Sequence, residues 1–192
     1  MDTTVGFYDG NSEAYSKKTF GADLSELRSH LVRHLPEGAS VLDLGCGSGR
    51  DSLAFSRMGY RVTAMDASEG MCRMTERNTG IRAEKRRYQD LDRTDEFDGV
   101  WACCSLLHCP SDELPDVLGR VRRSLKKGGV FFCCFKKGDF EGEREGRHYL
   151  DLDVRRLGRL LEDAGFEIIE LWEEKDFRGD LFWTNAVSRV RV

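Results

Sequence analysis

The stretch Asp43-Leu44-Gly45-Cys46-Gly47-Ser48-Gly49 decides the fold of this chain. It follows an apolar run, residues 40–44, that is typical of a buried strand, and it opens a helix-like segment that stops at Gly59. Glycines let a backbone turn sharply and approach a ligand closely, and a helix N-terminus supplies N–H groups that have no partner. Strand, glycine turn and helix in this order predict a ligand site at the end of the first strand.

Strand-like and helix-like patterns alternate after this turn. We predict further strands at 61–65, 85–88, 97–104, 130–135, 166–172 and 182–190. Three helices are expected between them: one capped by Ser68 and running towards Asn78, one capped by Ser111 and ending at Gly128-Gly129, and one ending at Gly165. The alternation predicts a doubly wound α/β fold: a seven-stranded, mainly parallel sheet with an antiparallel last strand and helices on both faces. A charged loop joins the last two strands.

The first 38 residues read as a separate helical segment. Two helices are predicted within residues 10–35, because leucines recur there at spacings of three and four. Since they precede the first strand, they are free to lie over the ligand edge of the sheet. We therefore expect a single domain, 1–192, made of an N-terminal helical cover, 1–38, and a core, 39–192.

Composition narrows the class of protein. The chain of 192 residues carries 30 Lys plus Arg against 34 Asp plus Glu, a net charge of −4 that argues against a nucleic-acid partner. The N-terminus lacks a basic segment followed by an apolar run, and the apolar stretch 130–135 is too short to span a membrane, so neither a signal peptide nor membrane insertion is expected. Seven cysteines, an odd number without a C-x-x-C pair, indicate reduced thiols in a cytoplasmic protein without a metal site.

The acid Asp66 ends the second predicted strand, where a carboxylate can accept both hydroxyls of a ribose. The glycines are spaced G-x-G-x-G, whereas a pyrophosphate site usually has G-x-G-x-x-G. Asp43, just before them, would repel a pyrophosphate but suits a ligand that carries an ammonium and a sulfonium group. The pattern predicts a nucleoside-containing, cationic cofactor.

On these residues the chain resembles the class I S-adenosylmethionine-dependent methyltransferases, which have a Rossmann-like fold. The resemblance extends to Gln89-Asp90-Leu91, residues 97–100, Leu106-Leu107-His108, residues 125–129 and Ala164-Gly165-Phe166. The Gly47-Ser48-Gly49-Arg50 turn in a short, undecorated domain is similar to the small tellurite-resistance-type methyltransferases. The resemblance implies S-adenosyl-L-methionine as cofactor and S-adenosyl-L-homocysteine as product.

The resemblance also implies which residues bind that cofactor. They are Tyr15, Asp43, Gly45, Cys46, Gly47, Gly49, Arg50, Asp66, Ala67, Met71, Gln89, Asp90, Leu91, Ala102 and Cys103. Asp66 would bind the ribose and Asp90 the adenine amino group, while Arg50 and Tyr15 are candidates for the cofactor carboxylate. Alternatively, Tyr15 and Met71 are packing residues and Asp90 is a solvated acid.

The methyl acceptor would lie after the fourth and fifth strands. Methyl transfer is an in-line displacement that depends on alignment, and it needs a base only when the acceptor is protonated. His108 is the candidate base; alternatively it packs beside Pro110. Residues 136–149, which mix glycines with both signs of charge, form either a lid over the acceptor or a solvated loop. The candidate acceptor-binding residues are Ser105, Lys136, Arg144, Arg147 and Trp183.

Two cysteine pairs, Cys103-Cys104 and Cys133-Cys134, fall in the fourth and fifth predicted strands. Thiolates there could bind soft elements such as arsenic or tellurium; the alternative is that they are core residues. Adjacent residues of a strand point to opposite faces, so at most one thiol of each pair is expected to face the ligand.

We expect a monomer or homodimer that methylates a small molecule. One alternative is a methyltransferase that acts on tRNA or protein, although Ala102-Cys103-Cys104-Ser105 lacks the Asn-Pro-Pro-Tyr type of motif for amino groups of bases. The other alternative is a module that binds S-adenosylmethionine without catalysis.

Overall fold

The computed structural model describes residues 3–176, 179 and 181–191. Over these residues it has six α-helices: α1 (Thr3–Thr19), α2 (Ser25–Val32), α3 (Arg50–Arg57), α4 (Glu69–Thr79), α5 (Leu114–Ser124) and α6 (Val154–Asp163). The same residues form nine strands: β1 (Ser40–Leu44), β2 (Arg61–Asp66), β3 (Glu84–Lys85), β4 (Phe97–Ala102), β5 (Leu125–Lys136), β6 (Glu141–Arg144), β7 (Arg147–Leu150), β8 (Phe166–Lys175) and β9 (Phe182–Val190). Part of the predicted charged loop, residues 177, 178 and 180, lies outside the described residues.

Seven strands form one sheet in the order β3-β2-β1-β4-β5-β9-β8. The pairs from β3 to β5 are parallel, and β9 runs antiparallel to both β5 and β8. The predicted α/β fold with its seven-stranded, mainly parallel sheet and antiparallel last strand is confirmed. The strand order reverses between β1 and β4, and ligands of such sheets bind at the carboxyl ends of the strands on either side of that point.

The centre of the sheet is apolar on both faces, as parallel strands between two layers of helices require. On one face Trp101 stacks on Phe132 with ring centroids 4.1 Å apart and meets Phe55 of α3 edge-on. On the other face Phe131 packs on Phe166, together with the buried leucines of α5 and α6. Burial on both faces makes the strands that carry the site rigid.

Polar contacts attach the two N-terminal helices to the core. Asp9 of α1 accepts hydrogen bonds from the Ser68 hydroxyl (2.6 Å) and from the Gly70 amide (2.9 Å) at the start of α4. Arg28 of α2 forms a buried salt bridge of 2.5 Å with Asp51. The first helix begins at Thr3 rather than near residue 10. The prediction placed its start too late because the polar sequence of this helix has no apolar stripe.

Residues 136–149 are the main correction to the predicted elements, because a two-stranded hairpin of β6 and β7 replaces the predicted loop. The chain turns at Glu145 and Gly146, which both have positive φ (52° and 75°), the combination that two-residue hairpins favour. The strands could not be recognised from the sequence, because charged residues on both of them replace the alternation of apolar and polar residues that is typical of a strand.

The helix boundaries near α5 also differ from the prediction. No described side chain caps α5, which begins at Leu114, so Ser111 is not its N-cap. The helix ends at Ser124, and Gly128-Gly129 lies within β5, because Leu125 already pairs with Phe97 of β4. The third strand is shorter than expected, Glu84–Lys85, and a 3-10 helix over Tyr88–Asp90 follows it. No helix in the described part of the chain is both long and apolar enough to cross a membrane.

Candidate active site

A cavity of about 430 Å3 opens at the carboxyl ends of β1, β2 and β4, beneath α1 and α2. This volume is within the usual range for a small-molecule site. Most of the predicted cofactor residues lie on its wall: Tyr15, Asp43, Gly45, Cys46, Gly47, Arg50, Asp66, Ala67, Met71, Gln89 and Cys103. Four predicted cofactor residues do not line it: Gly49, Asp90, Leu91 and Ala102.

The glycine turn forms one end of this cavity. Gly45 and Gly47 have φ of +81° and +56°, and a Cβ on Gly45 would lie only 2.3 Å from the Ser105 Cβ. The amides of Gly45 and Cys46 both donate to the Met65 carbonyl, which ties the turn to β2. Gly49, at φ +86°, is the N-cap of α3 and supports the turn from outside the cavity. The turn is therefore held by glycine geometry and backbone hydrogen bonds.

Asp66 lies opposite the turn at the end of β2. Its Oδ2 accepts a hydrogen bond from the Gly47 amide and its Oδ1 from the Ser68 amide, each at 2.9 Å. Burial nevertheless raises the pKa of Asp66 to about 6. A ligand that donates hydrogen bonds here would stabilise the ionised carboxylate, which is what the two hydroxyls of a ribose can do.

Asp43, the acid before the turn, is buried at the end of β1. Its Oδ2 accepts a hydrogen bond of 2.6 Å from the Ser52 hydroxyl. Burial and the negative charge of Asp51 raise the pKa of Asp43 to about 7. A cation in the cavity would lower it again, so the cradle of Asp43 and Asp66 favours a positively charged ligand with hydroxyl groups.

These pKa values predict a pH dependence of cofactor binding. The folded, unliganded protein holds protons on Asp43 and Asp66 up to about pH 7 and pH 6, above the usual 3.8, so its stability should decline as the pH rises between 4 and 7. A cationic cofactor favours both ionised forms, so we expect its affinity to increase from pH 5 to pH 8, with proton release on binding. Calorimetry in buffers of different ionisation enthalpy measures that release. Equal affinity at both pH values would contradict this electrostatic role.

Arg50, a predicted carboxylate ligand, lies on the wall but is held by the protein. Its Nη2 donates to Asp51 Oδ2 at 2.7 Å, and this contact raises the pKa of Arg50. Asp51 also binds Arg28 and accepts a hydrogen bond of 3.1 Å from Trp101 Nε1. The network fixes the position of the Arg50 guanidinium at the cavity.

The opposite end of the cavity is formed by Met71 and residues 86–89. The Gln89 Nε2 donates to Glu113 at 2.6 Å, whereas its buried Oε1 has no hydrogen-bond partner among the described residues. Asp90 is exposed outside the wall, and Leu91 is packed in the core with Met65. At this end, therefore, Gln89 rather than Asp90 lies on the cavity wall.

His108 lies on the wall in a defined orientation. Its Nδ1 is 2.6 Å from the His148 carbonyl oxygen, so Nδ1 carries the proton and Nε2 is left to accept. The Tyr8 hydroxyl is 3.0 Å from Nε2. Burial lowers the pKa of His108 to about 4, which keeps the imidazole neutral.

Tyr8 is a site residue that sequence reasoning missed. Its ring meets Tyr15 edge-on at 5.2 Å, and both tyrosines line the cavity from α1. Burial raises the pKa of Tyr8 to about 12 and that of Tyr15 well above its usual value, so both hydroxyls stay protonated. The seven-residue spacing, two helical turns, was the available signal.

Of the predicted acceptor residues, Ser105 and Trp183 lie on the wall, whereas Lys136, Arg144 and Arg147 do not. Arg144 lies over the Phe140 ring at 3.6 Å and binds Asp151 at 2.8 Å. The Arg147 guanidinium lies 4.3 Å from the Phe7 ring centroid, and the Lys136 ammonium 4.0 Å from that of Tyr149. All three cations thus lie over aromatic rings of the protein, Lys136 from the end of β5 and the two arginines from the hairpin.

The expectation that at most one thiol of each cysteine pair faces the cavity is wrong for the first pair. Cys103, Cys104 and Cys134 all line it, whereas Cys133 is fully buried on the other face of β5. Strand alternation no longer applies to Cys103 and Cys104, because β4 ends at Ala102 and Cys104 has a φ of +55°.

Comparison with known proteins agrees with this geometry. A family model described as a methyltransferase domain matches residues 41–129. The ubiquinone biosynthesis O-methyltransferase of Paramagnetospirillum magneticum is 33% identical over 123 residues, which cover 62% of this chain and 48% of that protein. The probable S-adenosyl-L-methionine-dependent methyltransferase TehB of Haemophilus influenzae (strain 10810) is 37% identical over 71 residues, 36% of this chain and 24% of that one. The chain spans about half the length of the first curated relatives it matches.

A solved structure matches over more of its length. The Burkholderia thailandensis 1,6-didemethyltoxoflavin-N1-methyltransferase, with bound 1,6-didemethyltoxoflavin and S-adenosylhomocysteine, has a TM-score of 0.79 and 26% identity. The match covers 98% of this chain and 88% of that one. The fold and the acidic glycine cradle define a protein that binds a nucleoside cofactor at the switch point of an α/β sheet. In sequence, fold and site the chain is similar to the class I S-adenosylmethionine-dependent methyltransferases, whose cofactor is S-adenosyl-L-methionine.

Proposed function

We propose that this protein transfers a methyl group from S-adenosyl-L-methionine to a small-molecule acceptor. The observation that carries the proposal is that one cavity is lined both by the acidic cradle of Asp43 and Asp66 and by His108. The ubiquinone and toxoflavin methyltransferases, both named for small molecules, support a small acceptor by similarity. Residues of α1 and α2 form part of the cavity wall.

The residues present fit the cofactor. Two buried polar atoms of the wall have no partner within the described part of the chain: Ser105 Oγ beside the glycine turn and Gln89 Oε1 at the opposite end. Unpaired buried polar groups are costly, so both are expected to bind a ligand. When bound, the cofactor supplies an electrophilic methyl group on a sulfonium. Asp66 would hold the ribose, Asp43 would stabilise the positive charge, and Gln89 Oε1 would accept from the adenine amino group.

His108 and Tyr8 would then manage the acceptor's proton. The His148 carbonyl fixes the proton on Nδ1, so Nε2 is the atom that can accept one. In the free protein Tyr8 occupies that position, and an acceptor with an O–H, N–H or S–H group could replace its hydroxyl there. Burial keeps His108 neutral at physiological pH, which leaves Nε2 available. Methyl transfer would then depend on how the cavity wall aligns the acceptor with the methyl group.

Binding of the cofactor would not by itself establish that the protein transfers a methyl group. One relative, 28% identical over 193 residues, is the S-adenosyl-L-methionine-dependent Diels-Alderase iliD of Neonectria. The decisive measurement is therefore the product S-adenosylhomocysteine. We expect calorimetric binding of the cofactor and S-adenosylhomocysteine formation with at least one of a panel of thiols, phenols, heterocyclic amines and metalloid oxyanions. Turnover with tRNA or protein alone, or binding without turnover on any acceptor, would overturn the proposal.

The assignment of the adenine end makes a separate prediction. Gln89→Leu removes an acceptor from the wall, and a neutral hydrogen bond contributes about 1 kcal/mol, so cofactor affinity should fall about fivefold. Asp90→Asn changes an exposed neighbour and should leave the affinity within about twofold. Calorimetry on both variants compares them directly. A larger loss for the Asp90 variant would restore the sequence-based assignment of the adenine contact to Asp90.

A further inference from the structure

Three thiols meet on the wall of the cavity, beside the region assigned to the acceptor. The Cys103 and Cys104 sulfurs are 3.8 Å apart, and those of Cys104 and Cys134 are 3.7 Å apart. All three sulfurs lie within 4.8 Å of one another. We refer to Cys103, Cys104 and Cys134 as the thiol cluster. The cofactor cradle and the His108–Tyr8 pair do not use these sulfurs.

The backbone brings the thiol cluster together. Cys104 adopts a left-handed conformation (φ +55°), which turns two consecutive cysteines towards the same sulfur of β5. Such strain in a residue other than glycine persists where the surrounding structure imposes it, and it is common at functional sites. The Cys104 amide donates to Cys134 Sγ at 3.1 Å, the kind of N–H···S contact that orients a thiolate ligand.

The charge balance of the thiol cluster suits a divalent cation. When the cluster binds a metal as three thiolates, their three negative charges exceed the single positive charge of the Arg50 guanidinium, which lies 4.0 Å from Cys103 Sγ.

We propose that the thiol cluster binds one zinc ion through three thiolates, with the fourth coordination position open to the cavity. Tetrahedral zinc with bonds of about 2.3 Å places its sulfurs about 3.8 Å apart, close to the spacings of the two nearer pairs. Within residues 3–176, 179 and 181–191 no histidine or carboxylate joins the cluster, so a fourth ligand would come from the cavity. Three protein ligands and one open position are the arrangement of catalytic zinc sites.

The open position suggests the substrate class, a step that rests on the proposed methyl transfer. A small thiol that takes the fourth position would be deprotonated by the metal, and its proton would pass to His108 or to solvent. The thiolate sulfur then forms a bond to the methyl carbon as the bond from that carbon to the sulfonium breaks. The departing sulfur keeps the bonding pair, so the products are a methyl thioether and S-adenosylhomocysteine. We infer that the acceptor is a small thiol.

Zinc binding is tested on the full chain, freed of metal and kept reduced with a phosphine. Titration with zinc against a chromogenic chelator and metal analysis should give one zinc per chain, and cobalt should give a thiolate-to-metal absorption band. Cys134→Ala should weaken zinc binding at least 100-fold. Cys133→Ala, in the neighbouring residue on the opposite face of β5, should retain it. Unchanged cofactor affinity of both variants by calorimetry would show that they fold.

Several results would overturn the proposal. Absence of zinc binding, or equal binding by the Cys134 variant, removes the site. Titration by arsenite but not by zinc would make the thiol cluster a metalloid site and refute the zinc assignment. If zinc binds but thiols yield no S-adenosylhomocysteine while another acceptor does, the thiol substrate is wrong and methyl transfer stands. If no acceptor is methylated, the proposed function fails, although the zinc stoichiometry remains a separate result.

Discussion

Asp66→Asn is expected to weaken S-adenosylmethionine binding about 100-fold. The substitution removes the charge that two ribose hydroxyls would contact, and a hydrogen bond to a charged group contributes about 1.5–3 kcal/mol, so the loss is at least about 3 kcal/mol. The asparagine oxygen can still accept from one of the two amides that Asp66 binds, those of Gly47 and Ser68. Calorimetric titration with S-adenosylhomocysteine measures the loss.

The control for this variant is Asp163→Asn, which removes an exposed carboxylate at the end of α6. Its cofactor affinity should equal that of the unchanged protein. Thermal unfolding without cofactor should show the Asp66 variant folded, because neutralising an acid whose pKa is already raised to about 6 removes an unfavourable charge. A folded Asp66 variant with undiminished affinity would show that Asp66 does not hold the ribose.

Gly45→Ala is expected to lower the free energy of unfolding by about 2–5 kcal/mol. A left-handed backbone costs a residue with a Cβ about 1–2 kcal/mol, and overpacking costs about 1–3 kcal/mol more. At Gly45 both apply, since φ is +81° and the new Cβ would lie 2.3 Å from that of Ser105. Urea unfolding monitored by circular dichroism measures the change. The shift of Ser105 that relieves the clash should also reduce cofactor binding.

Gly59→Ala separates the two causes. Gly59 has a φ of +88°, close to that of Gly45, but a Cβ added there would have no described atom within 4 Å beyond its chain neighbours. It follows α3 and does not line the cavity. This variant should lose only the backbone contribution of about 1–2 kcal/mol and should bind the cofactor normally. Equal destabilisation of the two variants would mean that the contact between Gly45 and Ser105 is not tight.

The cofactor cradle could be predicted because its signal is local. Gly45, Gly47 and Asp43 are close in sequence, and the backbone geometry of a strand–turn–helix unit follows from that spacing. Asp66 belongs to the next strand, and parallel neighbours bring their carboxyl ends together, so its place opposite the turn also followed. The structure places all four residues on the cavity wall, while their roles in binding stay predictions until the variants are measured.

The hairpin and the adenine end could not be predicted in this way. Lys136, Arg144 and Arg147 carry charges that suit an anionic acceptor, but their side chains lie over Tyr149, Phe140 and Phe7. Those aromatic partners come from distant parts of the chain or from the hairpin itself. The pairing of the two hairpin strands could not be predicted from a sequence of mixed charge. Gln89 and Asp90 are adjacent, so only the local turn of the 3-10 helix distinguishes the wall residue from the solvated one.

The order of apolar runs and glycine turns along the chain was sufficient to predict the doubly wound sheet and the glycine turn at the end of β1, because both depend on periodicity or on short spacing. Long-range packing was needed to bring Tyr8 to His108 and to assemble the thiol cluster. Cys104 and Cys134 are thirty residues apart, and their sulfurs meet at 3.7 Å because β4 and β5 are neighbours and because Cys104 leaves the strand in a left-handed conformation. Strand periodicity predicts opposite faces for consecutive cysteines, so the three thiols could be placed together only once the end of β4 was known.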